Sequence, residues 1–530
     1  MSQNLQVSLI RVPHSYKYND LDVTEEAILT YLAGYFDSIG FHNYSIHDFH
    51  LQRDLSLADI VSPSVTDYIL SVRETGEQVH YIQRLVRALR AQSAVRIILY
   101  GQTARLSELE WPENVVILKH REQDVAETLG LDFNGPSYGS GLIAKPYFDQ
   151  ISLAPWQRRR FKAAIETTRG CHFGCRFCFI NAGDNYGKRW QMRPNDDILA
   201  DLRAYRKLGI RSVAFRDSEF FGPHPKFQAG KRDLLNVIKA ELPGTSYMIW
   251  ARADTLLSFN DFDLLKSSGL VNTFIGVESF SQDDLNALGK GLQVEDSVRC
   301  IKELRDRGIH AYLSFIVFNR NTCVDSLRVN LLTLRHLRSK NSRCLGLPYF
   351  TFSFESDWKG NVNSGVLSGR TYIGTDVAMK SQPAALGVCF NPKLEPLVEL
   401  CRLLTYEWSK KATQLNHARD GASSEVRNAI EAWFTGLGDF CIEVMEALLQ
   451  EYDSAQLSLD NLLCRREQLF EDIQTYYVNH LPVSLRALST YSDHASQMSY
   501  AENSELVEED EYWEKQIPFY EQLPESVSCQ

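Results

Sequence analysis

Hydrophobic positions in the first 130 residues fall into short apolar runs separated by longer stretches of helical spacing. QVSLIRV, NYSIHDF, DYILSV, VRIILYG and NVVILK read as strands. Between them, EEAILTYLAGYFDSIG, EQVHYIQRLVRALRAQ and EQDVAETLG repeat apolar residues every three or four positions, as amphipathic helices do. The alternation predicts a parallel, doubly wound, Rossmann-like sheet over residues 1–131. A ligand of such a sheet sits outside the carboxyl ends of its strands. Residues 132–160 are rich in Gly, Pro and aromatic residues without a period, and read as a linker.

Alternation resumes over residues 161–356. AAIETT, SVAFRDS, SYMIWARAD, NTFIGVES, AYLSFIVF and YFTFSFE are the expected strands. NDDILADLRAYRKLG, KRDLLNVIKAEL, FDLLKSSG, VEDSVRCIKELRDRG and SLRVNLLTLRHLRSK are the expected helices. Six such units predict a partial (β/α)6 barrel with its site at the carboxyl ends of the strands. Residues 357–530 begin Gly- and Ser-rich and then turn mainly helical, as in LEPLVELCRLLTYEWSKKA, and read as a C-terminal, mainly helical domain. The fold class expected is α/β with a helical C-terminal domain.

Composition narrows the function. The 530 residues leave room for several domains. A net charge of −11 argues against a broad nucleic-acid surface, which needs clustered Lys and Arg. No stretch approaches the roughly 20 apolar residues that span a bilayer, and the N-terminus has no basic region followed by an apolar run. Neither a membrane segment nor a signal peptide is therefore expected. Cys300, Cys323, Cys344, Cys389, Cys401, Cys441 and Cys464 are scattered and read as core or isolated thiols, which suits a reducing cytoplasm.

Cys171, Cys175 and Cys178 differ, because they fall at C-x3-C-x2-C spacing in the single run ETTRGCHFGCRFCFIN. Iron–sulfur clusters normally take four thiolates, and a structural zinc site also wants four ligands. No fourth Cys or His follows closely in sequence, so the spacing reads as a [4Fe–4S] site with one iron open to a small molecule. A thiol cluster or an incomplete zinc site is the alternative.

The spacing and its flanks resemble the radical S-adenosylmethionine superfamily. The resemblance implies an enzyme in which the open iron binds the amino and carboxylate groups of S-adenosylmethionine, and reductive cleavage yields a 5′-deoxyadenosyl radical. It implies that Phe177, followed by Phe179, lies beside the adenine, with core packing as the alternative for either ring. An acid after the second strand, Asp217 or Glu219 within Arg216-Asp217-Ser218-Glu219, would accept hydrogen bonds from the amino group. Arg252, in WARAD, would pair with the methionyl carboxylate, a role suited to a permanently charged fork. Glu278 and Ser279, in IGVES, would contact the cofactor, and Phe315 and Ile316 would pass the adenine. For Arg252 and Glu278 the alternative is a structural ion pair at the barrel mouth.

The order of cysteine loop, FRDSEF, ARAD, IGVES, LGKG and SFIVF is similar to the branch whose barrels follow a cobalamin-binding domain. That resemblance implies a corrin near Ser71, Val72 and Arg73 after the third strand, and near Gly101, Gln102 and Thr103 after the fourth. Gly101 would let backbone approach the ligand. The chain departs from the branch where a paired glycine is replaced by Gly101-Gln102. Asp48-Phe49-His50 evokes the start of a cobalt-ligating motif but runs on to Arg53 where a Gly belongs, so no protein His on cobalt is expected.

The implied function is methyl transfer to an unactivated carbon, using the [4Fe–4S] cluster, S-adenosylmethionine and cobalamin. The alternatives are an epimerase, dehydratase, dehydrogenase or cyclase without methyl transfer, for which Cys389 could donate a hydrogen atom, or a non-catalytic iron–sulfur protein. The implied partners are a small-molecule or peptide substrate and an electron donor such as flavodoxin or ferredoxin.

Overall fold

The computed structural model describes residues 5–12, 23–52, 55–72, 76–92, 95–101, 110–148, 150–153, 157–158, 161–176, 178, 190–222, 224–318, 322–340, 392–394, 396–398, 400–401, 403–404, 424–458, 460–482 and 485. The chain divides into two compact units. One comprises Met1–Gly174, Cys178–Gly276 and Asp296–Ala311; the other comprises Cys175–Phe177, Val277–Glu295 and Tyr312–Gln530.

The first unit opens with β1 (Val7–Arg11), α1 (Ala27–Ser38), β2 (Tyr44–Asp48), α2 (Leu57–Ile60) and β3 (Asp67–Val72). It continues with α3 (Gly76–Gln92), β4 (Arg96–Gly101), β5 (Val115–Lys119) and α4 (Glu122–Leu129). The strands pair in parallel in the order β2-β1-β3-β4-β5. β1 and β3 are buried along their whole length, which is why they read in sequence as nearly unbroken apolar runs. Leu70, Ile97 and Leu99 pack there with Ile82, Leu85 and Leu89. The strand order reverses between β1 and β3, the switch point outside which ligands bind in open α/β sheets.

The second sheet has the order β12-β11-β10-β9-β6. Its strands are β6 (Ala163–Ile165), β9 (Ser212–Phe215), β10 (Ser246–Ala251), β11 (Leu270–Glu278) and β12 (His310–Phe315). Between β6 and β9 come β7 (Thr168–Gly170), β8 (Trp190–Met192) and α5 (Asn195–Lys207). Helices α6 (Pro225–Glu241), α7 (Ala253–Phe259), α8 (Phe262–Ser268), α9 (Gln282–Ala287) and α10 (Val294–Asp306) follow in the later connections. Five of the six expected strands are among the described residues; YFTFSFE lies outside them.

The expected first strand, AAIETT, is two strands. β6 ends at Ile165, and β7 leaves to form an antiparallel ribbon with β8. The cause is a residue distant in sequence: Asp217, just after β9, takes the N–H groups of Thr167 and Thr168 at 2.6 and 2.8 Å, removing them from any ladder.

Within the first unit, buried polar groups join the two sheets. Tyr31 on α1 donates to Asp201 on α5 at 2.9 Å and accepts from the Glu166 N–H at 3.1 Å. Arg193 donates to Asp201 at 2.6 Å, to Tyr31 at 2.7 Å and to the Leu142 carbonyl at 2.5 Å. The segment expected as a linker is packed into this joint. Ala144 N–H donates to Asp201 at 2.8 Å, while Glu25 accepts from the Tyr147 and Phe148 N–H groups. Burial pushes the Glu25 carboxyl up to about 8.

In the second unit, α11 (Val324–Lys340) packs on α12 (Ser424–Asp453) through Arg338, which reaches Asp439 at 2.9 Å and the Thr435 carbonyl at 2.6 Å. α12 returns against α13 (Leu462–His480), where the Phe440 and Tyr476 rings stack 4.1 Å apart. Cys464, on α13, is disulfide-bonded, not the isolated thiol expected; scattered spacing says nothing about which sulfurs meet in space. Among the described residues, no helix is long and apolar enough to cross a membrane.

Replacing Asp201 with Ala leaves the Arg193 guanidinium buried without its carboxylate. The expected loss is about 3–5 kcal/mol of stability, read from urea denaturation. Substituting the exposed Arg203, paired with Glu241 on the surface, should move the midpoint little.

Candidate functional site

The cysteine loop starts where β7 ends. Gly170 adopts φ 78°, a left-handed turn that favours glycine, and delivers the chain to Cys171. Cys175 is buried, and Cys171 and Cys178 are half-buried. Phe177 and Phe179 lie outside the described residues. Among the described residues no three His, Cys, Asp or Glu side chains gather around one point to hold a single metal ion. A cluster does not require that, since its thiolates bind different irons. Three soft sulfur donors in one short loop fit such a cluster by their chemistry.

Arg252 directly follows β10 and is the N-cap residue of α7. Its guanidinium lies 3.7 Å from the ring centroid of Phe173, in the cysteine loop. Nε and Nη2 each donate to Asp254 at 2.9 Å, giving a two-point fork that fixes the plane of the cation. Asp254 sits in the first turn of α7, where the helix dipole favours an anion. Neither Asp254 nor Phe173 stood out in the sequence, although Asp254 is the last residue of the ARAD run itself.

The two candidate acids are both buried and internally bonded. Asp217 accepts from Thr167 and Thr168, and Lys231 Nζ lies 4.0 Å away. Burial raises the Asp217 pKa and lowers that of Lys231 to about 8. Glu219 accepts from the N–H groups of Phe221 and Arg252, each at 3.1 Å, and burial pushes its carboxyl up to about 7. Asp217 therefore pins the entry to the cysteine loop, and Glu219 supports the backbone of Arg252.

In the second unit, Glu278 closes β11 at φ 64°, in the left-handed region that side chains seldom occupy. Its carbonyl accepts from Ile316 N–H at 2.8 Å, and its carboxylate accepts from Lys290 at 2.8 Å. Lys290 stands between Gly289 and Gly291, both at φ 61°, so the LGKG run is a built turn that presents one cation to Glu278. Ser279 donates to Asp284 at 2.9 Å and accepts from Ser281 N–H at 3.0 Å, bracing the start of α9. Phe315 is buried against Phe280, with centroids 5.2 Å apart, and Ile316 is buried beside it. Arg176 N–H donates to the Leu288 carbonyl at 3.0 Å, tying the middle of the cysteine loop to the LGKG turn.

At the carboxyl edge of the N-terminal sheet, Ser71 and Val72 are buried and pair in register with Tyr100 and Gly101. Gly101 adopts φ 132°, and a Cβ there would meet the Val72 carbonyl oxygen at 2.4 Å and Ile28 at 3.0 Å. The close approach that requires glycine is therefore to β3 and α1. Arg73, Gln102, Thr103 and Cys389 lie outside the described residues. Asp48 is engaged by Arg11 at 3.3 Å and Tyr147 at 2.8 Å, and accepts from the N–H groups of His50 and Leu51.

Residues 165–322 match the Radical SAM superfamily. An uncharacterised methyltransferase of Pyrococcus horikoshii is 26% identical over 157 residues, which are 29% of this chain and 32% of that protein. The hopanoid C-3 methylase of Methylococcus capsulatus is 27% identical over 200 residues, covering 36% of this chain and 37% of the methylase. The chain thus spans about a third of the length of these curated relatives. The solved structure of OxsB, a cobalamin-dependent S-adenosylmethionine radical enzyme, with aqua-cobalamin and S-adenosylmethionine bound, superposes with a TM-score of 0.62 at 14% identity. That match covers 94% of this chain and 84% of the other, so the two share a fold.

The buried Glu219 makes stability depend on pH. Its folded pKa is raised from 4.5 to about 7, so its contribution is fully present below about 4.5 and is lost as pH rises through about 7. Glu219→Gln removes a group that titrates in this window. The denaturation midpoint of the variant should fall less between pH 5 and 7 than that of the wild type.

Proposed function

We propose that the chain, whose residues 165–322 match the Radical SAM superfamily, is a cobalamin-dependent radical SAM enzyme that methylates an unactivated carbon of a small-molecule or peptide substrate. One observation carries the S-adenosylmethionine part of this reading. Arg252, a permanent cation, is stacked on Phe173 of the cysteine loop and held in plane by Asp254. A bidentate donor at that place suits the methionyl carboxylate. Support for cobalamin comes from the β2-β1-β3-β4-β5 sheet, with its switch point between β1 and β3, and from a fold shared with a protein solved with aqua-cobalamin. Support for methyl transfer comes from the names of the relatives, a methyltransferase and a methylase.

When bound, the cluster supplies the electron for reductive cleavage of S-adenosylmethionine and cobalamin carries the methyl group. The chain's own part is to hold and orient. Arg252 fixes the carboxylate, Asp217 sets the entry of the cysteine loop through Thr167 and Thr168, and Glu219 holds the Arg252 backbone.

The test is anaerobic reconstitution with iron and sulfide, with and without cobalamin, followed by methyl-labelled S-adenosylmethionine and a reductant. Retained corrin absorbance and 5′-deoxyadenosine formation are expected. Cys171→Ala, Cys175→Ala and Cys178→Ala should each abolish the cleavage product. Failure to retain cobalamin would sink the methyltransferase reading. Arg252→Lys keeps the charge but loses the fork, so the KM for S-adenosylmethionine should rise about tenfold or more, as loss of a charged hydrogen bond implies. An unchanged KM would remove Arg252 from the carboxylate role.

A further inference from the structure

Arg169 ties the strand that delivers the cysteine loop to helix α4 of the N-terminal domain. Arg169 lies on β7, two residues before Cys171. It donates through Nη1 and Nη2 to Glu122 at 3.1 and 2.7 Å, and through Nε to Glu166 at 2.7 Å. Its guanidinium also covers the Tyr138 ring, 3.9 Å from the centroid. Arg169, Glu122, Glu166 and Tyr138 are all buried.

Glu122 opens α4 just beyond the carboxyl end of β5. His120, between them in sequence, lies with Nε2 3.7 Å from Glu122 and meets the Tyr100 ring of β4 edge-on at 5.5 Å. A continuous set of contacts therefore runs from the carboxyl ends of β4 and β5, through Glu122 and Arg169, to the residue pair that precedes the loop. The backbone just before Arg169 has little freedom: Tyr31 holds the Glu166 N–H, and Asp217 holds those of Thr167 and Thr168. A buried ion pair is a poor source of net stability compared with apolar packing. What this one does supply is a fixed, directional link between the edge of one sheet and the first ligand of the loop.

We propose that Arg169 is a positioning residue that, through Glu122, couples the carboxyl edge of the N-terminal sheet to Cys171, so that a corrin at that edge and a cluster on the loop stabilise each other. The corrin half of this statement rests on the function proposed above. Coupling of this kind is reciprocal by linkage.

Iron release to a chelator from the anaerobically reconstituted full chain tests it, with hydroxocobalamin as the probe. In the wild type, hydroxocobalamin should slow release. Glu122→Gln and Arg169→Lys should release iron about tenfold faster, as loss of an outer-shell partner does, and hydroxocobalamin should no longer protect either variant. The electron paramagnetic resonance signal of the reduced cluster should shift in both variants, which a purely structural role would not produce. Wild-type release rates and spectra in Glu122→Gln would overturn the proposal. So would faster release with undiminished protection by hydroxocobalamin. A wild type that binds no hydroxocobalamin would instead overturn the cofactor reading, and the release rates and spectra of the variants alone would then decide whether Arg169 positions the loop.

Discussion

Two buried guanidinium groups hold the start of the second sheet against the first. Arg193 joins α1, α5 and the segment after α4 through Tyr31, Asp201 and the Leu142 carbonyl, and Arg169 joins β7 to α4 through Glu122. A charge taken out of water must find partners of fixed geometry. These two therefore dictate where β7 lies, and β7 dictates where Cys171 begins. The cysteine loop inherits its position from side chains that never enter it.

The same constraint explains the titration behaviour of the surrounding acids. Glu25, Glu166, Asp201, Asp217 and Glu219 all have raised pKa values, and burial is the leading cause in each. Hydrogen bonds to backbone N–H groups and to Arg, Tyr or Thr side chains, and for Asp217 the charge of Lys231 4.0 Å away, offset part of that cost. Burial depresses Lys231 in the same environment. The layer beneath the site is thus a dense set of mutually dependent polar groups, in which removing one member leaves another without its partner.

Much of this was legible along the chain. The parallel N-terminal sheet followed from apolar runs alternating with amphipathic helices, because a strand buried on both faces cannot alternate. The spacing of Cys171, Cys175 and Cys178 spoke for itself, and the polar strand ends Asp217, Arg252 and Glu278 were visible as residues an apolar core has no use for. The break between β6 and β7 was not visible. It depends on Asp217, distant in sequence, reaching back to Thr167 and Thr168. The partners of the strand-end residues also depend on the fold: Phe173 reaches Arg252 and Lys290 reaches Glu278 across space, and Asp254, close in sequence, meets Arg252 through the turn into α7. At Gly101, expected to let backbone approach a ligand, the missing Cβ makes room for the Val72 carbonyl, a contact the sequence did not announce.

By itself the sequence determined most of the elements and their parallel arrangement, and it singled out the candidate chemistry-bearing residues. Periodicity and local spacing are properties of neighbouring positions, and a linear chain carries them without folding. Tertiary structure decided which of those residues are braced and by what. Arg252 became a fixed cation only when Asp254 and Phe173 closed on it, and Arg169 became a link between sheets only when Glu122 arrived from α4. Hydrogen bonds and ion pairs act over a few ångströms of space, and no pattern along the chain records which distant residues will come that close.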